Sequence, residues 1–291
     1  MPKTKLIPLL EALFAVIVWG ASFIATKIAL QEASPDTIVW VRFLIGVIIL
    51  GAAVAVRRQI SIPNRSEWGY LALLGFLGVA FHQWLQSNAL QTSEAGTTAW
   101  IVSTAPVFMA VLGWLVLRET LGWWRIAGIL LAACGVMLVV TDGNLAAAAI
   151  GTFGAPGDML ILVSAVNWSV FSILSRRGLQ RHPAAWMMFW VMLTGWLFTS
   201  VLFFAGSGWR ELGGLTWNGW IGLAFLGIFC SGLAYIAWYD ALQRLSAAQT
   251  GSFLYIEPLV TLIVAALVLA EPITSASILG GGIILSGVYL V

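Results

Sequence analysis

In a chain of 291 residues, hydrophobic types supply 60% and charged types only 9%, with a formal net charge of +2. A soluble domain carries about a quarter charged residues to wet its surface, so most of this surface must face something other than water. No G-x-x-x-x-G-K-[ST] or H-E-x-x-H pattern occurs and only two histidines are present, which argues against ATP-driven work and against a histidine-based metal site.

The first apolar run, from about Leu6 to Leu30, follows Lys3 and Lys5 and is too long for the h-region of a signal peptide (~7–15 residues). It is expected to be an uncleaved first span. A hydrocarbon core about 30 Å thick needs ~20 apolar residues in a helix. On that rule the first set of spans falls at 6–30, 36–56, 67–90, 94–117 and 123–141. The second set falls at 157–178, 184–206, 217–240, 247–270 and 274–291. The runs are continuously apolar and do not alternate, which favours helices over barrel strands. The expected fold is therefore an all-α integral membrane protein of ten transmembrane helices. Cys134 and Cys230 each lie in an apolar run without metal-ligand spacing, and are read as buried small hydrophobes.

Lysine and arginine set the direction. With the N-terminus cytoplasmic, eleven of them (Lys3, Lys5, Arg57, Arg58, Arg65, Arg118, Arg125, Arg176, Arg177, Arg181 and Arg244) fall on the cytoplasmic side. Arg210 lies in an outer loop, with Lys27 and Arg42 just inside outer helix ends, so the bias is positive-inside. An even number of spans returns the C-terminus to the cytoplasm. Trp68, Trp123, Trp124, Trp186, Trp209, Trp217 and Trp220 sit near span ends, as an interfacial aromatic belt would.

Offset by 152 residues, segment 68–139 aligns with 220–291 without a gap. Trp68/Trp220, Gly75/Gly227, Gln91/Gln243, Pro106/Pro258, Glu119/Glu271, Gly128/Gly280 and Gly135/Gly287 all match. The first helices match at an offset of 149, with Trp19/Trp168 and Lys27/Arg176. Residues 1–141 form one five-helix unit, 142–156 a connecting loop, and 157–291 a second unit. Five is odd, so the second copy enters the membrane the other way up, a 5+5 inverted-topology repeat of the kind on which alternating access is built.

These motifs together resemble the drug/metabolite transporter superfamily, and within it the ten-helix EamA-type exporters. The resemblance spans the whole chain and rests on Trp19-Gly-Ala-Ser-Phe, Ala105-Pro106-Val107, Leu117-Arg118-Glu119, Glu257-Pro258-Leu259, Leu269-Ala270-Glu271 and Gly280-Gly281-Gly282. The chain is most similar there to the YddG-type exporters of aromatic and other amino acids. The resemblance implies a central cavity lined by helices 1, 3, 4, 6, 8 and 9, with helices 5 and 10 peripheral. The small-residue stripes Gly128/Ala132/Gly135 and Gly280/Ile284/Gly287 suit those two helices for close packing, within one chain in preference to between chains.

Positions where the two copies differ are the candidates for function. Glu257, near the middle of span nine, has Ala105 as its mate. A carboxylate at that depth faces a cavity or a partner, and can meet a substrate ammonium or exchange protons. The competing reading is a bond to neighbouring helices. His82 and Gln86 lie one turn apart on span three, with mates Ala234 and Trp238, and His82 is either a substrate contact or a packing histidine. Tyr255 offers an aromatic wall with a hydroxyl. Trp19 and Trp168 are a symmetric mid-membrane pair, with Ser22, Trp100, Asn167 and Tyr239 as neighbours whose simpler role is packing. Pro106 and Pro258 each remove an intrahelical bond, to Val102 and Leu254, and are hinge or gate candidates. Lys27 and Arg42 can attract a substrate carboxylate, but snorkelling to the interface is the simpler account. Glu11, Glu119, Asp240 and Glu271 are placed at wet helix ends.

The expectation is an inner-membrane exporter of amino acids or similar small metabolites working by alternating access. It has no cofactor or nucleic-acid partner, protons are a candidate coupling ion, and no oligomer is required. The alternatives are a drug or other metabolite exporter of the same superfamily, then a channel or a membrane-embedded enzyme. The short loops also leave little surface for a receptor to couple through.

Overall fold

The computed structural model describes residues 3–117, 122–144, 154–245 and 253–290, and these are helical with short connections. Helix α1 (Lys3–Ala29) is followed by α2 (Pro35–Val56). Pro35 stands at the first position of α2, where its missing N–H costs nothing, and the Ser34 hydroxyl accepts the Thr37 N–H as the cap. Next come α3 (Trp68–Gly75), a π-helical stretch (Phe76–Phe81) and α4 (His82–Ala89), which together make one continuous rod. Helices α5 (Ala95–Val102), α6 (Ala105–Leu117) and α7 (Trp123–Val140) complete the first half.

The second half holds α8 (Pro156–Leu179), α9 (Ala184–Ala205) and α10 (Trp217–Ala224), which runs through a second π stretch (Phe225–Leu233) into α11 (Ala234–Arg244). A 3-10 turn (Leu254–Ile256) leads into α12 (Glu257–Val268), and α13 (Ser275–Leu290) ends the described chain. Six helical runs among the described residues are long and apolar enough to cross a membrane: Leu6–Ala29, Pro35–Val56, Ala95–Leu112, Pro156–Leu179, Ala184–Ala205 and Trp217–Arg244. Three shorter apolar helices, Ile126–Val140, Leu254–Val268 and Ser275–Leu290, accompany them.

Local breaks refine the expected spans. The spans at 67–90 and 217–240 each contain a π stretch, and 94–117 is broken at Ser103–Thr104, two residues before Pro106. Of span 247–270, residues 247–252 and what the sequence predicts for them lie outside the described residues, as do Arg118 and Glu119. Helix starts recur at the sequence offset of 152: His82 and Ala234, Ala105 and Glu257, Trp123 and Ser275.

Helices α7 and α13 pack together through their small residues. A Cβ on Gly135 would collide with the Gly280 carbonyl at 2.7 Å, and one on Gly287 with the Gly128 carbonyl at 2.6 Å. Contact order runs in opposite directions along the two helices, so they are antiparallel. The stripes are thus used within the chain. Elsewhere α1 packs on α11 and α12, α2 on α9 and the second π stretch, and α8 on α4 and α6. Phe43, Leu71, Leu74, Phe171, Met187 and Met192 fill the largest buried cluster.

Several charged groups placed at wet helix ends are instead structural. Glu271 accepts Lys27 Nζ at 2.8 Å and the Ala95 and Gly96 N–H groups, so it caps α5, and Lys27 is held there without snorkelling. Asp240 pairs with Arg57, and Glu11 lies 3.7 Å from Arg244. Trp186, expected in the belt, is buried against His182 and donates to the Ser61 carbonyl, whereas Trp123, Trp124 and Trp217 are exposed. Cys230 is buried, but Cys134 is exposed.

Candidate functional site

A cavity opens where the helix breaks converge. Proline explains the breaks. Pro106 and Pro258 have no N–H to offer the residue four positions back, so Val102 and Leu254 lose their usual helical donor, and the chain bends at both places. Both prolines line the cavity, and so do Val102 and Leu254, which brings unwound backbone to its wall.

Three walls are aromatic. The Trp19 indole donates to the Cys230 carbonyl at 3.1 Å and lies 5.6 Å from the Tyr235 ring, which fixes it at the crossing of α1 and α11. Trp168, from α8, sits 4.8 Å from the His82 ring and 5.0 Å from Phe171. Phe23, Tyr235 and Tyr255 complete the aromatic lining. His82 is buried, and its Nδ1 shares a 2.8 Å hydrogen bond with the Ser164 hydroxyl. Gln86 lies beside it on the same face. Ser22 lines the space, but its hydroxyl is spent on the Trp19 carbonyl at 2.6 Å.

Glu257 stands at the first position of α12, on the cavity wall, and its carboxylate has no hydrogen-bond or ionic partner among the described residues. Arg42 reaches the same space from α2. It is 4% exposed, against the snorkelling expected of it: seven residues into a helix that rises 1.5 Å per residue, it starts about 10 Å below the helix end. Its Nε donates to Ser231 Oγ and its Nη1 to Gln83 Oε1, both at 3.0 Å, and no carboxylate pairs with it among the described residues. The guanidinium also lies over the Phe43 ring, 5.2 Å from its centroid.

The cavity therefore gathers Trp19, Ser22, His82, Gln86, Trp168, Tyr255 and Glu257 with both prolines. It leaves out three sequence candidates. The Trp100 indole donates to Ser277 Oγ at 3.0 Å and covers Gly281, anchoring α5 to α13. Asn167 donates to the Leu77 carbonyl at 2.7 Å, inside the first π stretch, where the widened helix leaves that acceptor within reach. Tyr239 is buried behind Tyr235. Sequence reasoning set Arg42 aside in favour of snorkelling and missed Gln83 and Tyr235. The available signal was the depth of Arg42 and its apolar neighbours one turn away, Ile38, Val39, Ile45 and Gly46.

A second cavity, near one end of the molecule, is lined by Glu94, Asp142, Asp158 and Glu271. Two of these carboxylates, Asp158 and Glu271, are already engaged. Asp158 accepts Ser93 Oγ at 2.7 Å and the Ala155 N–H at 2.8 Å, and Glu271 caps α5. Of these two cavities, the first is the one lined by both a basic and an acidic side chain, Arg42 and Glu257.

The model of the EamA-like transporter family matches the chain twice, over residues 6–141 and 155–291. An uncharacterized transporter of Archaeoglobus fulgidus is 30% identical over 275 residues, covering 94% of this chain and 93% of that protein. An uncharacterized transporter of Bacillus subtilis is 26% identical over 293 residues, covering 100% of this chain and 92% of its own. A solved crystal structure with 20% identity superposes over 97% of both chains with a TM-score of 0.68, a likeness of fold.

Proposed function

The chain belongs to the EamA-like transporter family, and on that premise we propose that it exports amino acids, aromatic ones included, or similar small metabolites. It is a multi-pass membrane protein of a transporter family, so a small-molecule substrate and a surrounding bilayer follow. The observation that carries the substrate reading is the pairing of Arg42 and Glu257 in one aromatic cavity, each without an ionic partner among the described residues. An unpaired charge in a low-dielectric interior is costly, and a ligand bearing the opposite charge relieves that cost. A zwitterion with an apolar side chain supplies both charges and fills aromatic walls.

In this proposal the ten helical passes form two five-helix units of inverted topology, 1–141 and 157–291, and exchange of their conformations opens the cavity first to one face and then to the other. The recurrence of helix starts at one offset and the double family match support it. Pro106 and Pro258 mark the hinges. The positive-inside bias supports an inner-membrane location with both termini cytoplasmic. Export of drugs or other metabolites is the second reading, favoured by the apolar share of the cavity wall.

The test is efflux of labelled amino acids from proteoliposomes, with and without a pH gradient, against protein-free vesicles. Saturable efflux that falls to background in Glu257→Ala, in protein that elutes as a folded species, is the expected result. Acceleration by the gradient identifies protons as the coupling ion. Efflux of no amino acid from folded protein overturns the substrate reading.

A further inference from the structure

Arg42 carries information that the carrier reading alone does not use. Hydrogen bonds from Nε and Nη1 hold the guanidinium in one orientation, and Nη2 has no partner among the described residues. A buried cation held only by neutral acceptors lacks the counter-charge that would offset its desolvation.

The same helix crossing occurs twice in the chain, and only one occurrence is charged. Gly46 of α2 lies against Ser231, and its sequence counterpart Gly195 of α9 lies against Val79, the counterpart of Ser231. By the same alignment Arg42 corresponds to Val191 and Gln83 to Tyr235. Val79 and Val191 are buried, and polar contact across that crossing is made by the neutral Thr194 hydroxyl on the Leu71 carbonyl, with no charged group among these residues. Packing is thus satisfied there by valines, and the fold does not require the polar set of Arg42, Gln83 and Ser231.

We propose that Arg42 is the carboxylate-binding group of the cavity, oriented by Gln83 and Ser231, and that a free carboxylate is a requirement for carriage. Planar guanidinium recognises a carboxylate through directed N–H donors, which an ammonium cannot reproduce with the same geometry. The inference rests on the carrier reading above and sharpens it: the deciding group on the substrate is the acid. Amines that share the apolar side chain but lack the acid are poor substrates.

The experiment measures efflux of labelled phenylalanine from proteoliposomes and its inhibition by unlabelled 3-phenylpropionate, which keeps the acid, and phenethylamine, which keeps the amine. With the wild-type chain, 3-phenylpropionate is expected to inhibit at a concentration about tenfold or more below that of phenethylamine, the factor that one charged hydrogen bond supplies. Arg42→Gln raises KM for phenylalanine by a similar factor and removes the preference for the acid. Arg42→Lys, which keeps the charge, recovers part of both. The wild-type comparison needs no variant, so misfolding of Arg42→Gln does not rescue the proposal. Inhibition by phenethylamine as strong as by 3-phenylpropionate overturns it while the carrier reading stands. Absence of any phenylalanine efflux overturns the amino-acid reading itself.

Discussion

Arg57 and Asp240 meet in a two-bonded ion pair, Nη1 to Oδ1 at 2.7 Å and Nη2 to Oδ2 at 2.5 Å, that ties the end of α2 to α11. The pair therefore bridges the first half of the chain to the second. Glu11 and Arg244, 3.7 Å apart, add a looser link nearby between α1 and α11. Arg57→Ala is expected to loosen this end, so that an impermeant thiol reagent reaches Ser22→Cys faster than in the parent. The swapped pair Arg57→Asp with Asp240→Arg restores the parent rate. A double-mutant cycle on unfolding should give a coupling of about 0.5–1 kcal/mol, the range for part-exposed pairs. Equal labelling in parent and Arg57→Ala would leave the pair without a closing role.

In the proposed reading, Glu257 exchanges stability for function. Its carboxylate is unpartnered among the described residues, so replacing it by a neutral isostere removes a desolvation cost. Glu257→Gln is expected to raise Tm by roughly 2–4 °C, the shift that about 1 kcal/mol produces in a protein of this size, while amino-acid efflux falls at least about tenfold. A lower Tm in Glu257→Gln would mean that the carboxylate is already satisfied in the folded chain.

The α7–α13 seam admits no side chain where glycine now stands. A Cβ on Gly287 would meet the Ala132 nitrogen at 2.5 Å, backbone that cannot turn aside, whereas a Cβ on Gly282 meets nothing within 4 Å. Gly287→Val is expected to cost about 1–3 kcal/mol and to lower the folded yield. Gly282→Ala on the same helix should hold or raise the melting temperature, since alanine is the better helix former and meets no neighbour there, which separates the close approach from helix propensity.

Glu32 gives a pH dependence with a defined sign. It accepts the Thr216 hydroxyl at 2.6 Å and the Thr216 N–H at 2.7 Å at the start of α10. These bonds favour the charged carboxylate and hold its pKa below the usual carboxylate value. A depressed folded-state pKa contributes stability above the unfolded-state value, and that contribution is lost as pH falls through the folded-state value. The melting difference between parent and Glu32→Gln is therefore expected to be constant from neutral pH down to the ordinary carboxylate range and to shrink below it. A difference that grows on acidification would contradict this.

The amino-acid sequence by itself determined that the chain is helical and apolar, roughly where its helices begin and end, and that its two halves repeat. These properties depend on run length and on spacing along one chain, and a hydrocarbon solvent makes both decisive because backbone groups must pair within their own segment. It also marked Glu257, His82 and the two prolines, since polar and helix-breaking residues are conspicuous in apolar runs. Tertiary structure decided the rest. Whether Lys27, Arg42 and Glu271 end in water or in a pocket depends on what the neighbouring helix presents: Glu271 and the Ser93 carbonyl for Lys27, Ser231 and Gln83 for Arg42. Trp100 and Asn167 are as polar and as deep as the cavity residues, yet Ser277 and the Leu77 carbonyl claim them. Those partners are far apart in sequence, and only the folded chain brings them within hydrogen-bond reach.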